Sequence, residues 1–147
     1  PLYFNDKERS SALLSLSSIL NKLLPDSQPH KNIYQSLEKF ISSINLEEWI
    51  ILYIFLELNL IKDLGYDPNL KQYENNKIEI DTKKIKIDTI IYDVPNFLIN
   101  EKIPQHFSGN LIKKSLYFTR SIIQNKFFLP NNLPFPHSRI LLESYYN

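Results

Sequence analysis

The stretch "LEEWIILYIFLELNLIKDLGY", residues 46–66, constrains this chain more than any other. At helical period it is apolar over most of its circumference, and its narrow polar arc is drawn from Glu48, Asn59, Lys62 and Asp63. A helix greasy nearly all round belongs at the centre of a bundle, covered by its neighbours. Its unbroken apolar run, Trp49 to Leu56, stops at Glu57, well short of the roughly 20 residues a membrane span needs. Asn45 is placed to cap it, with Glu47 and Glu48 near the positive end of the dipole. Gly65 fits a left-handed C-cap, and Asp67-Pro68 turns the chain away.

The covering helices are legible on either side. Residues 6–24 place Leu13, Leu16, Leu20 and Leu23 or Leu24 at helical spacing, with Asp6 as cap and Pro25 as stop. "PDSQP" is a turn. Residues 30–44 repeat the pattern with Ile33, Leu37, Phe40, Ile41 and Ile44. Beyond Tyr66 the period changes. "KIEIDTKKIKIDTIIYDV" alternates Ile78, Ile80, Ile85 and Ile87 with polar residues, and reads as an antiparallel hairpin turning at "DTKK". "VPNFLINEKIP" reads as irregular.

Residues 108–128 form a fourth amphipathic helix. One half carries Leu111, Ile112, Leu116, Phe118, Ile122, Ile123 and Phe127; the other carries Lys113, Lys114, Tyr117, Arg120, Ser121, Gln124 and Asn125. "HSRILLESYY" closes the chain as a short helix. The expected fold is mainly α: one domain over 1–147, a bundle of about five helices with a small β-hairpin inserted. Residues 1–65 hold three helices, 66–107 the hairpin and irregular insert, and 108–147 the last two helices.

Composition removes several chemistries. With no Cys among 147 residues there is no disulfide, thiolate metal site or cysteine nucleophile. Two glycines, Gly65 and Gly109, make no phosphate-cradling loop. The opening "PLYFNDKERSS", without an initiator Met, reads as a piece of something longer, and no leader pattern or membrane helix is seen; a cytoplasmic location fits. Net charge is only +1, yet it is unevenly spread: no acidic residue occurs between Glu101 and Glu143, an interval carrying Lys102, Lys113, Lys114, Arg120, Lys126 and Arg139. Such a stretch is either an ordinary solvated face or a surface for an anionic partner.

Glu57 is the oddest residue, a carboxylate on the apolar side of the central helix among Ile50, Tyr53 and Leu64. Buried there it requires a partner, for which Arg120 and a Tyr hydroxyl are the candidates. His30 reads as a cap or turn residue, and His106 and His137 lie at unrelated positions; no metal-ligand spacing links the three. Trp49 is most simply core.

Four stretches together resemble one family, RecO, in its C-terminal helical region: "LLPDSQPHKNIYQSL", "FLELNLIKDLGYDPNL", "LYFTRSII" and "PHSRILLESY", in family order along the chain. The likeness is closest to alphaproteobacterial members. Many members carry cysteines just after "LGY-x-x-x-L" that bind a structural zinc; here Tyr73 stands about where the first would be. The resemblance therefore implies a zinc-less counterpart with no metal and no cofactor, and we expect Ile78, Ile80, Ile85 and Ile87, with Tyr73, to order the hairpin by packing onto the bundle.

The resemblance also implies a function, as the non-catalytic part of a DNA repair and recombination mediator lacking the family's N-terminal OB-fold. Its implied partners are single-stranded DNA, the acidic C-terminal tail of single-stranded-DNA-binding protein, and RecR, promoting recombinase loading and strand annealing in the RecFOR pathway. The candidate binding residues are Lys113, Lys114, Tyr117, Arg120, Lys126 and Arg139, since cations with an interleaved aromatic suit phosphates and unstacked bases. Members often have Arg just before "F-E-L", where this chain has Ile54 and Phe55, so part of any tail pocket departs from the family. Two rival classes remain: a helical scaffold with no nucleic-acid role, and a small hydrolase using Glu57.

Overall fold

The computed structural model describes residues 6–24 and 30–147. The expected "PDSQP" turn, with Pro25 as helix stop, lies outside the described residues.

Helix α1 (Lys7–Leu23) starts as its sequence dictates: the Asp6 side chain accepts from the Arg9 N–H at 3.1 Å. Arg9 then reaches further. Its guanidinium pairs with Asp6, donates to the Ile44 carbonyl at 2.7 Å and lies over the Trp49 ring at 5.2 Å. These contacts tie the start of α1 to the turn between α2 (Lys31–Ser42) and α3 (Trp49–Asp63). They also explain a correction. Asn45 does not cap α3; residues 43–48 form successive tight turns, Glu48 holds the N-cap position, and Leu46 is left exposed.

Helix α3 is central as its circumference demands, with Trp49, Ile51, Tyr53, Ile54, Leu60 and Ile61 all buried. It ends in a Schellman cap: Gly65 takes φ +103, its N–H bonds to Lys62 O at 3.0 Å, and Tyr66 N–H bonds to Ile61 O at 3.2 Å. A Cβ at that φ would be strained, which is why glycine stands there. Helix α2 packs on α3, α3 on α5 (Gly109–Ile123), and α1 on α6 (His137–Ser144). A single π-helical turn, Gln124–Phe128, follows α5.

The hairpin sits where expected between the helices but turns elsewhere. Strands β1 (Thr82–Ile87) and β2 (Ile90–Pro95) pair antiparallel through a two-residue loop, Asp88-Thr89, not through "DTKK". Asp88 supplies the positive φ of 57 that a two-residue loop needs, and aspartate tolerates it. Ile85, Tyr92 and Val94 form the buried face. Tyr92 docks it onto α5, its ring edge-on to Phe118 at 5.2 Å and its hydroxyl 2.7 Å from Ser121 Oγ. Ser121, assigned to the outer half of its helix, is therefore buried.

Ile78 and Ile80 do not pack onto the bundle; they are 57% and 50% exposed. Ile85 does, and a group of asparagines holds what precedes β1. Buried Asn96 donates to Ile78 O at 3.1 Å and accepts from Asn75 Nδ2 at 3.2 Å, while Asn100 Oδ1 accepts from Asn75 N–H at 3.2 Å. Asn96 and Asn100 belong to a helix the irregular reading missed, α4 (Asn96–Asn100), whose Phe97, Leu98 and Ile99 are buried. A five-residue helix is too short to show period in sequence.

Candidate partner-binding face

The charged residues divide into a sealed set and an open set. At the sealed centre Glu57 is 1% exposed and both oxygens are occupied. Oε2 accepts from Arg139 Nε at 2.6 Å and Tyr53 OH at 2.8 Å; Oε1 accepts from Thr119 Oγ1 at 2.6 Å and Arg139 Nη2 at 2.9 Å. Arg139 Nη2 also reaches the Leu116 carbonyl at 2.8 Å. The bidentate fork matches the carboxylate in both geometry and charge. Burial raises the Tyr53 phenol well above its ordinary pKa, and the Glu57 charge adds to it.

Of the expected partners, the tyrosine hydroxyl is present and Arg120 is not. Arg139, assigned to the binding surface, is fully buried and belongs to this core cluster instead. A signal existed: Arg139 lies three residues before Leu142, on the one stripe of α6 that is buried, so two opposite charges each sat on an apolar face.

Arg120 is half-buried and held by Glu143, Nε to Oε1 at 2.7 Å and Nη2 to Oε2 at 3.1 Å, with its guanidinium 5.3 Å from the Tyr117 ring. Glu143, the acid that ends the acid-free interval, thus holds Arg120, and its Oε1 also accepts from Arg139 Nη1 at 3.4 Å. Lys126 bonds Asp88 at the hairpin tip, 2.7 Å, and lies over Tyr66 at 4.7 Å. That bond with Asp88 raises the Lys126 pKa. Both cations serve the fold before they serve a partner.

Lys113, Lys114 and Tyr117 remain on the outer side of α5, and no ion pair engages either lysine among the described residues. Tyr117 is 41% exposed, its ring 5.7 Å from Tyr92. Lys114 faces the hairpin. With Lys84, whose hydrogen bond is the stronger cause, it lowers the Asp93 carboxyl below its ordinary pKa.

Sequence reasoning did not find a second feature, a groove of about 280 Å³ between α2, α3 and the segment after α4. Phe40, Leu52, Phe55 and Ile103 supply its apolar side, and Ser36, Lys39, Asn59 and Lys62 its polar one. Lys62 is partly answered by Glu101 at 3.5 Å. Ile54, at the position where the family often has Arg, faces the core, while Phe55 reaches the groove. Nothing in the helical pattern marks a groove, because it depends on how two helices and a loop stand apart.

Comparison with known proteins gives these features a family. A profile described as the C-terminal region of recombination protein O matches residues 5–87, from before α1 to the end of β1. The chain belongs to the RecO family. The "DNA repair protein RecO" of Wolbachia pipientis wMel is 27% identical over 165 aligned positions, covering 97% of this chain and 67% of that protein. The RecO of the Wolbachia of Culex pipiens is 38% identical over 72 residues, and that of Anaplasma marginale (strain Florida) 31% over 71, each covering 48% of this chain. No solved structure matches it significantly. The broad alignment with the wMel protein carries the RecO likeness across α5 and α6, beyond the profile match. No helix among the described residues is long and apolar enough to cross a membrane, and no cluster of metal-ligating side chains is found among them.

Proposed function

We propose that this RecO region acts in DNA repair and recombination as a docking platform, meeting single-stranded DNA on the outer side of α5 and the acidic tail of single-stranded-DNA-binding protein in the α2–α3 groove. RecO is a DNA repair and recombination family, and the relatives aligned here carry that name. The observation that carries the DNA reading is exposed Lys113 and Tyr117 with half-buried Lys114 beside them on the outer side of α5. Two lysines with no ion pair among the described residues can release counterions from phosphates, Lys113 more freely than Lys114, which feels Asp93. An exposed ring offers a stacking surface for one base. The groove supports the tail reading, because apolar side chains beside Lys39 and Lys62 suit a peptide that is both acidic and hydrophobic. RecR is the third partner we propose for this chain. Recombinase loading and strand annealing are the processes such a platform serves.

The sealed state of Glu57 favours a structural over a catalytic role. Its lone pairs are used, and no substrate atom reaches a group 1% exposed. Fluorescence anisotropy tests the platform with a labelled oligonucleotide and a labelled acidic tail peptide, each at two salt concentrations. Lys113→Glu with Lys114→Glu is expected to abolish DNA binding and leave the peptide bound; Phe55→Ala should weaken only the peptide. Unchanged DNA binding in the double variant would return the chain to the scaffold reading.

A further inference from the structure

Strand β1 is paired on one side only. Across a two-residue loop Ile87 and Ile90 exchange hydrogen bonds, followed in phase by Ile85 with Tyr92 and Lys83 with Val94. The Asn96 N–H bond to the Asp81 carbonyl, 2.8 Å, continues that phase past the end of the ladder. The main-chain groups of Thr82, Lys84 and Lys86 therefore point away from β2, and none of them has a hydrogen-bond partner among the described residues. All three residues are exposed. Residues 72–77 stand beside the start of this edge without a backbone bond to it: Tyr73, Glu74 and Lys77 face Thr82 and Lys83 across a hollow of about 290 Å³.

Charge selects what fits there. Lys83, Lys84 and Lys86 are all exposed along the six-residue strand, and among the described residues only Asp93 pairs with one of them, Lys84 at 2.9 Å. Lysines on a sheet edge deter neutral strands, and they would set lysine against lysine if two copies paired edge to edge. The same lysines favour a strand bearing carboxylates, since opposite charges directly across a sheet attract. We propose that the β1 edge accepts an extended acidic segment of a partner protein as a third strand. The outward groups of Thr82, Lys84 and Lys86 supply the main-chain bonds, and the lysine side chains supply the selectivity. This surface is distinct from the α2–α3 groove and adjoins the α5 trio, since Lys114 and Lys84 act on the same Asp93, and it stands whether or not the trio binds DNA as proposed.

The test uses the 147-residue chain and an end-blocked peptide of alternating glutamate and threonine. Amide hydrogen exchange by NMR should slow at Thr82, Lys84 and Lys86 when the peptide is added, with the amides of Lys83 and Ile85 unchanged. The same peptide N-methylated at alternate amides keeps its charge and should bind at least tenfold more weakly. Lys84→Glu with Lys86→Glu should weaken binding by a similar factor. Lys86→Pro, which removes one outward donor and no bond to β2, should weaken it less. Equal binding of the N-methylated peptide, or no slowing at the three amides, overturns the proposal. So does displacement of the peptide by single-stranded DNA that leaves those amides unprotected, which assigns the lysines to phosphate. Dimerisation of the peptide-free chain that protects the same amides also overturns it, by making a second copy the occupant.

Discussion

The two sides of α5 handle charge in opposite ways. Inward, Leu116 O and Thr119 Oγ1 complete a cluster in which Glu57 and Arg139 are out of water, the Glu57 oxygens and Arg139 Nε and Nη2 finding partners within 2.6–2.9 Å and Nη1 reaching Glu143 at 3.4 Å. Outward, Lys113 and Lys114 have no ion pair, and Tyr117 is 41% exposed. Arg120 stands between the two, half-buried and already held by Glu143. A charge whose partners are complete carries the fold, and the charges the fold has not answered are the ones we propose for recognition. That distinction reduces six candidate binding residues to three.

The sharpest way to break the comparison is to unbalance its buried side. Arg139→Met leaves Glu57 buried and unpaired, and is expected to cost about 3–5 kcal/mol in urea denaturation. Glu57→Gln should cost an amount of the same order, and Glu57→Leu combined with Arg139→Met should recover most of the loss. A Glu57→Gln protein of unchanged stability that has lost a hydrolytic activity would make the cluster catalytic instead.

The hairpin offers the next test. Asn96→Ala removes the donor to Ile78 O and the acceptor for Asn75, and should cost about 1–3 kcal/mol. Hydrogen exchange should quicken first in residues 75–81. Ile80→Ala, at a side chain 50% exposed, should change stability by less than about 0.5 kcal/mol.

A smaller effect is expected with pH. Tyr53 titrates well above its ordinary value of 10.0 in the fold, so its contribution is complete below about pH 10 and is lost as the pH rises beyond it, where the unfolded chain ionises first. Urea midpoints between pH 8 and 11 should fall at the alkaline end, and Tyr53→Phe should flatten that fall. Least of all, Lys113→Glu with Lys114→Glu should leave stability within about 0.5 kcal/mol of the parent while removing DNA binding. A large loss of stability there would mean that the outer side of α5 also carries the fold.

Much of the architecture was legible. Leu13, Leu16 and Leu20 mark α1, Ile33, Leu37 and Phe40 mark α2, and Gly65 marks the end of α3, because helical period and cap chemistry are local. The hairpin's existence was legible and its turn was not: "DTKK" and "DT" both serve as turns, and burial of Ile85 against Tyr92 chooses between registers. Of the candidate site, Lys113 and Tyr117 were placed correctly on one outer arc of α5. Arg139 was misplaced because a lone arginine on a short helix looks like a surface charge until a carboxylate 82 residues earlier in the chain is brought against it.

By itself the sequence determined that a nearly all-apolar helix must be wrapped by others, that Glu57 must find a partner, and that the cations gather late in the chain. Each follows from the period, transfer cost or count of residues near one another in sequence. Only the tertiary structure decided which cation went to Glu57, which were neutralised by Glu143 and Asp88, and which stayed open to solvent. Ion pairing depends on distances of a few ångströms between residues far apart in the chain, and those distances exist only once the helices have packed.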